Sequence, residues 1–169
     1  MSEYIYFLPF SALPTFDVEK MLDDASRKWK QDFHLIKTDD MYIVSSGAHQ
    51  LILALQNEPL SMGIVDVLIS SYPQWSYEEI SRLREHQALM SIRSPRSLFK
   101  SKQHMSLIAS VVFALLEQEC AVGFFNAMAE KYYPVSYFQK YNGKTIPQLD
   151  EVDFLFAGKN KEVENGKRI

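Results

Sequence analysis

The stretch of residues 94–125 constrains the possible folds of this chain more than any other feature. A short linker holding Pro95 leads into a helical pattern whose apolar positions recur at three- and four-residue steps: Leu107, Ile108, Val111, Val112, Leu115 and Leu116. That spacing puts them on one stripe of an amphipathic helix. Residues 120–125 follow as an apolar tract without charge, which predicts a buried strand. Helix and strand together form a hydrophobic centre, against which the other elements must pack.

The N-terminal part predicts a central strand followed by a helix. Residues 4–10 are apolar at every position, which is typical of a strand covered on both faces. Residues 16–30 predict a helix. Thr15 is its predicted N-cap, and its apolar stripe, which ends at Trp29, is expected to face the core.

Three short β-like runs come next, at residues 33–36, 41–44 and 50–55. Turns rich in Asp, Ser and Gly separate them, so they predict an antiparallel meander. Residues 60–69 fit a fourth strand and a short helix equally well, because both periods match. Ser76 and Glu79 then form a capping box, which predicts a helix that starts at Ser76. The remaining predicted elements are a strand over residues 86–92, a helical turn over 127–131, a short helix over 135–141 and a last strand over 152–156.

Length and composition favour one α+β domain, residues 1–157, with a mostly antiparallel sheet and helices packed on it. Residues 158–169 are rich in charge and poor in apolar side chains, so a disordered tail is expected. The single cysteine, Cys120, fits a reducing compartment. No stretch reaches the roughly 20 apolar residues of a membrane span, and the N-terminus lacks the basic start of a secretory signal. We therefore expect a cytoplasmic protein.

The sequence holds no motif that carries chemistry. The four histidines, His34, His49, His86 and His104, lack metal-ligand spacing, and no P-loop, GxGxxG or GxSxG motif occurs. Cys120 lies in the apolar tract, where a thiol is inert. We expect no cofactor, no metal and no catalytic residue. An enzyme whose site forms only in three dimensions is the open alternative, and a deep pocket joining His86 or His49 to a carboxylate would indicate it.

Basic residues cluster just before the central helix. Arginines and hydroxyls near a helix N-terminus can hold a phosphate or the carboxylates of a partner, although a solvated loop explains the same pattern. The candidate anion-binding residues are Arg93, Arg96, Lys100 and Lys102. Only one aromatic residue, Phe99, lies among them, and the net charge is −3, which disfavours nucleic acid as a partner.

Tyrosines and acidic residues near the C-terminus form a second candidate surface. Tyrosine is enriched at protein interfaces because it buries a large area at low entropic cost. The candidate partner-binding residues are Tyr133, Tyr137, Asp150 and Glu151.

The order of several residues resembles a known family. Trp75, then His86-Gln87-Ala88, then the central helix and Ala121-Val122-Gly123-Phe124-Phe125 follow the pattern W…H-x-A…helix…A-x-G-[VF]-[YF]. Over residues 74–157 the chain is similar to a family of uncharacterised bacterial α+β domains. The resemblance implies no catalytic residue, and some small acidic bacterial domains of this kind accompany secreted toxins as immunity proteins.

These features predict a non-enzymatic domain that binds a protein, most specifically an immunity-type protein that neutralises a partner toxin by masking its surface. The alternative is a domain that binds a phosphorylated ligand or nucleic acid through the basic segment.

Overall fold

The computed structural model describes residues 3–15, 17–39, 41–71, 74–95 and 102–141. In chain order its elements are β1 (Glu3–Phe10), α1 (Val18–Trp29), β2 (His34–Lys37), β3 (Met41–Ser46), β4 (His49–Gln56), α2 (Met62–Ser71), α3 (Tyr77–Arg84), β5 (Ala88–Pro95), α4 (Lys102–Leu116), β6 (Gly123–Asn126), β7 (Lys131–Pro134) and a 3-10 helix (Val135–Tyr141).

Within the described segments the strands form one seven-stranded sheet in the order β2-β3-β4-β5-β1-β6-β7. Every neighbouring pair is antiparallel, which confirms the predicted α+β class and the predicted meander of β2, β3 and β4. β1 lies between β5 and β6, so the first strand of the chain is an interior strand, as its apolar sequence predicts.

One face of the sheet packs against α4, which α1 covers in turn. The prediction that α4 is amphipathic is wrong over most of its length, because every residue from 107 to 116 is buried. Ser110, expected on a solvated side, is fully buried and donates its hydroxyl to the carbonyl of Ser106 at 2.7 Å. The side chains that cover this side of α4 come from elements far away in sequence. The ring of Phe138 in the 3-10 helix meets that of Phe113 edge to face at 5.6 Å.

The N-cap of helix α1 lies two residues later than predicted. Asp17, and not Thr15, is the N-cap residue, and its Oδ1 accepts the backbone N–H of Lys20 at 3.2 Å. Trp29 is the last residue of the helix. The C-cap residue Lys30 adopts the left-handed conformation at φ 55° and donates its N–H to the carbonyl of Ser26. Lys28 Nζ lies 2.6 Å from Glu117 Oε1, just beyond α4, so an ion pair helps to fix α1 against the central helix.

The other face of the sheet carries α2 and α3 over one part only. The sequence of residues 60–69 fits a strand and a helix equally well. In the structure these residues contain the start of helix α2. For α3 the predicted N-cap is confirmed, since Ser76 Oγ accepts the N–H of Glu79 at 3.2 Å. The Glu79 carboxylate accepts the hydroxyl of Ser136 at 2.9 Å, which connects α3 to the 3-10 helix. The second, smaller core under these two helices consists of Leu60, Val65, Leu68, Leu83, Leu89, Val122, Phe125 and Tyr132.

The predicted helical turn over residues 127–131 is instead a reverse turn followed by β7. The buried side chain of Asn126 accepts the N–H of Ala129 at 3.3 Å and closes the turn, so residues 131–134 pair back onto β6. Pro134 ends β7, where a missing N–H costs the sheet little. The short helix predicted over residues 135–141 is present as the 3-10 helix. The strand predicted over residues 152–156 and the tail over 158–169 lie outside the described residues.

Candidate protein-binding surfaces

A row of side chains crosses five strands on the face of the sheet that carries α2 and α3. Ile36 on β2 pairs with Ile43 on β3, and Ile43 pairs with Ile52 on β4. Arg93 on β5 lies opposite both Ile52 and Ile5 of β1. Directly opposed residues in antiparallel strands point to the same side of the sheet, so the five side chains form one continuous band. We call this band the open face.

The open face is accessible mainly at Ile36 and Arg93. Ile36 is 58% exposed and Arg93 is exposed, while Ile5, Ile43 and Ile52 are half-buried. A sheet face directed to water normally carries polar side chains at alternate positions, but here four of the five positions are isoleucine. The band extends over roughly 19 Å, since neighbouring strands lie about 4.8 Å apart. An apolar band of this length with one guanidinium is typical of an interface and unusual for a solvated sheet.

A groove lies beside the open face, between α2 and the sheet. Its volume is about 650 Å³. Ile64 and Val67 of α2 form one wall, and Phe7 of β1 and Phe125 of β6 form the floor, with Glu130 also among its lining residues. We call it the α2 groove. Phe7 stands two residues from Ile5 on the same face of β1, so the groove and the open face share an edge.

The predicted tyrosine surface is divided by burial. Tyr133 is only 9% exposed and packs into the main core, so it has little surface to offer a partner. Tyr137 is half-buried, and its ring centroid lies 5.0 Å from that of Tyr133. Tyr133 therefore packs against Tyr137 from the side of the core. Asp150 and Glu151 lie outside the described residues.

The predicted basic site is represented in the structure by Arg93 alone. Its side chain is exposed, and its cross-strand neighbours are the isoleucines of the open face. Arg96 and Lys100 lie outside the described residues, and Lys102 is the first residue of α4, whose side chain the structure does not describe. Sequence reasoning assigned Arg93 to a basic loop because the pairing of β5 with β4 and β1 is not visible in the sequence.

The titratable groups that could suggest catalysis make structural contacts. His104 Nε2 lies 2.5 Å from the hydroxyl of Ser94, and both residues are buried. Burial lowers the pKa of His104, and the charge of the nearby His49 adds to the effect. This Ser–His pair connects β5 to α4 and is closed to a substrate. Burial also raises the pKa of the Cys120 thiol, which disfavours the reactive thiolate. Within the described segments, no three His, Cys, Asp or Glu residues are placed to hold a metal ion.

The chain matches no protein-family model, no curated protein and no solved structure. In the part of the chain that the structure describes, none of the helices has the length and apolar character needed to cross a membrane.

Proposed function

We propose that this chain is a non-enzymatic protein-binding domain that acts by covering part of a partner protein, as an immunity protein covers its toxin. The observation that carries the proposal is the open face. Burying its isoleucines would contribute roughly 25 cal/mol per Å² of apolar surface removed from water.

Arg93 gives the open face its specificity in this proposal. An arginine whose two cross-strand neighbours are isoleucines matches the composition of interface hot spots, in which arginine is enriched and neighbouring apolar groups exclude water. A carboxylate of the partner opposite Arg93 would form a charge-assisted pair in a position that contact shields from solvent. The open face should therefore bind a partner whose contact surface is apolar and carries one carboxylate opposite Arg93.

The resemblance to uncharacterised bacterial α+β domains supports the more specific role of a cytoplasmic immunity protein. Masking a toxin requires shape and charge complementarity and no catalytic group. The net charge of −3 adds long-range attraction to a basic partner.

The exposed side chain of Arg93 also supports a second candidate, a domain that binds a phosphorylated ligand or nucleic acid through Arg93, Arg96, Lys100 and Lys102. Its cross-strand neighbours favour protein over nucleic acid, because Ile52 and Ile5 offer neither positive charge nor an aromatic surface for bases.

The test uses a double variant of the open face, Ile43→Glu with Ile52→Glu. The matched control is Tyr77→Glu with Leu13→Glu, which places the same charges at exposed apolar residues of α3 and of the loop after β1. Each protein is used as bait in an extract of its native host. The proposal predicts that the wild type and the control retain the same protein and that the open-face variant loses it.

The immunity role is then tested with the retained protein. Its expression alone should stop the growth of a bacterial host, and co-expression of the wild type or the control should restore growth. Retention of the protein by an open-face variant that melts like the wild type would refute binding through this surface. Binding without any effect on growth would refute the immunity role alone.

A further inference from the structure

Helix α2 packs on the sheet with few buried side chains. Of its ten residues Val65 and Leu68 are buried, whereas Met62, Ile64 and Val67 are exposed. A helix shorter than about 12 residues is marginal in water by itself, so α2 depends on its contacts with the rest of the fold. A region with few buried apolar contacts opens at a lower cost in free energy than a well-packed core. We therefore expect α2 to detach more easily than α4, in which every residue from 107 to 116 is buried.

A buried hydrogen bond fixes the segment that leads into α2. The backbone N–H of Leu60 donates to Nε2 of His86 at 2.8 Å. The Nδ1 atom of the same ring lies 2.5 Å from the carbonyl oxygen of Leu83, near the end of α3. Because a carbonyl can only accept, Nδ1 donates and Nε2 accepts, which is possible only in the neutral ring. An imidazolium donates from both nitrogens, so a protonated His86 offers no acceptor to the N–H of Leu60.

A second polar contact, between α2 and α3, lies in water. Arg84 Nη1 donates to Asp66 Oδ1 at 3.1 Å, and about half of each side chain is exposed. Exposed ion pairs contribute little to stability, because water and salt screen them. With His86 protonated, the attachment of α2 therefore depends mainly on its two buried side chains, Val65 and Leu68.

The charged side chains on the described elements around His86 have other partners or face the solvent. They are Glu58 before α2, Asp66 of α2, and Arg82, Arg84 and Glu85 at the end of α3. Arg84 pairs with Asp66, Arg82 Nη2 donates to the carbonyl of Ala121 at 3.0 Å, and the two glutamates are exposed. The adjoining ends of β1 and β5, residues 7–10 and 88–92, carry no charge.

An imidazolium at position 86 would therefore be poorly stabilised. Among the described residues, no carboxylate lies within ion-pair distance of His86. Tyr132, in the same small core, donates to the carbonyl of Val122, and burial raises its pKa, so it stays neutral. Burial lowers the pKa of His86, while the hydrogen bond to Leu83 opposes the shift. The contacts and the surroundings of the ring both favour its neutral form.

From these contacts we propose that protonation of His86 detaches helix α2 from the sheet while the main core stays folded. The detached state binds a proton at His86 as readily as an exposed histidine does, and the attached state resists it. A fall in pH below about 6.5 therefore shifts the population towards the detached state. Detachment removes the wall that Ile64 and Val67 form in the α2 groove. Mild acid thus changes the surface beside the open face, whatever that face binds.

Amide hydrogen exchange of the full-length protein, followed by NMR at pH 7.5, 6.5 and 5.5, tests the proposal. The protection of residues 66–71, corrected for the intrinsic exchange rate at each pH, should fall by up to about tenfold per pH unit below 6.5. Low concentrations of urea should hardly change exchange in α2, because local opening exposes little surface. Exchange in α4 should rise with urea, because it requires unfolding of the whole domain.

His86→Gln removes the group that titrates. In this variant α2 should be less protected than in the wild type at pH 7.5, and its protection should change little with pH. His34→Gln is the matched control, because His34 is exposed on β2, and it should keep the pH dependence of the wild type. A measurement on the wild type needs no variant: the nitrogen chemical shifts of the His86 ring at pH 7.5 should report the neutral Nδ1–H tautomer.

Three results would overturn the inference. One is a charged ring or the Nε2–H tautomer of His86 at pH 7.5. Another is equal protection of α2 and α4 at every pH, which would mean that α2 opens only when the whole domain unfolds. The third is a pH dependence of α2 protection that is the same in the wild type and in His86→Gln. The first two decide the question even where the variant does not fold.

Discussion

The Nε2 atom of His86 accepts a hydrogen bond from the backbone N–H of Leu60 at 2.8 Å. Its Nδ1 lies against the carbonyl oxygen of Leu83, which can only accept, so the ring donates from Nδ1. Both contacts together require a neutral imidazole. They connect the start of α2 to the corner between α3 and β5, and Leu60 is part of the α2 groove. His86 therefore helps to hold one wall of that groove in place.

The first prediction concerns acid. Burial lowers the pKa of His86 below its usual 6.5, with the hydrogen bond to Leu83 opposing the shift. Below pH 6.5 the unfolded chain binds a proton that the folded chain resists, so the free energy of unfolding should fall as pH drops from 6.5 towards the lowered value. His104 acts in the same direction. Urea unfolding at pH 7.5 and 5.5 measures the loss.

The variant that checks this assignment is His86→Gln. It should lose roughly 1–3 kcal/mol at pH 7.5, because one buried group loses its partner, and it should show a weaker acid dependence than the wild type. His34→Gln is the matched control, since His34 is exposed on β2. An acid dependence that survives in His86→Gln and disappears in His34→Gln would contradict the assignment.

The second prediction compares two glycines. A Cβ atom on Gly123 would lie 2.2 Å from the hydroxyl of Tyr132 and 2.6 Å from the backbone oxygen of Tyr133. Tyr132 is buried and donates to the carbonyl of Val122, so it has little room to move. Gly123→Ala should cost about 3 kcal/mol or more through overpacking. Gly63→Ala, with open space around it, should instead stabilise α2 by roughly 0.5–1 kcal/mol. Equal melting temperatures for the two variants would refute the close packing of β6 on β7.

The third prediction concerns the end of α1. Lys30 adopts a left-handed backbone at the position where helices favour glycine. Lys30→Gly should raise the free energy of unfolding by about 1 kcal/mol, because the strain of a Cβ atom in this conformation is removed. Asp23→Gly in the exposed middle of the same helix is the control and should lower it by roughly 0.3 kcal/mol. Chemical denaturation measures the change in the free energy of unfolding for each variant. A loss of stability in both would contradict the left-handed cap.

The fourth prediction separates the two proposed functions. For a protein partner, Arg93→Gln should weaken binding tenfold or more. The affinity should fall only modestly between 50 and roughly 200 mM salt, because salt screens the long-range attraction but hardly affects a pair that contact shields from solvent. A phosphate or nucleic-acid ligand would instead lose affinity steeply with salt, by a slope of about −0.9 per phosphate contact. Titration calorimetry across this salt range gives the slope, and a steep one would favour the second candidate.

The elements that sequence reasoning predicts well are those fixed by neighbours in the chain. The meander follows from short apolar runs with turn residues between them, and the N-cap at Ser76 from its local capping box. The burial of Ser110 could not be predicted in this way, because its cover comes from elements far away in sequence. The signal for β7 is local, by contrast, and sequence reasoning misreads it: Asn126 closes a turn, so residues 131–134 pair back onto β6.

The open face depends on register, which the sequence does not state. Ile36, Ile43, Ile52, Arg93 and Ile5 come from five strands and align only when all four pairings are set. A partial signal is present, however. Residues 41–44 and 51–55 are apolar on both sides of their strands, whereas strands with one solvated face alternate. That excess of apolar residues in the sequence indicates a second contact surface.

The interior position of β1 has a consequence for how a cell makes this protein. The ribosome produces β1 long before its two neighbours, β5 at residues 88–95 and β6 at residues 123–126. At roughly 5–20 residues per second, this apolar strand waits for several seconds with both edges unpaired. Chaperones that shield nascent chains should therefore bind β1 as it emerges from the ribosome. The yield of this protein should depend on such chaperones more than the yield of a protein in which the corresponding strand lies at an edge.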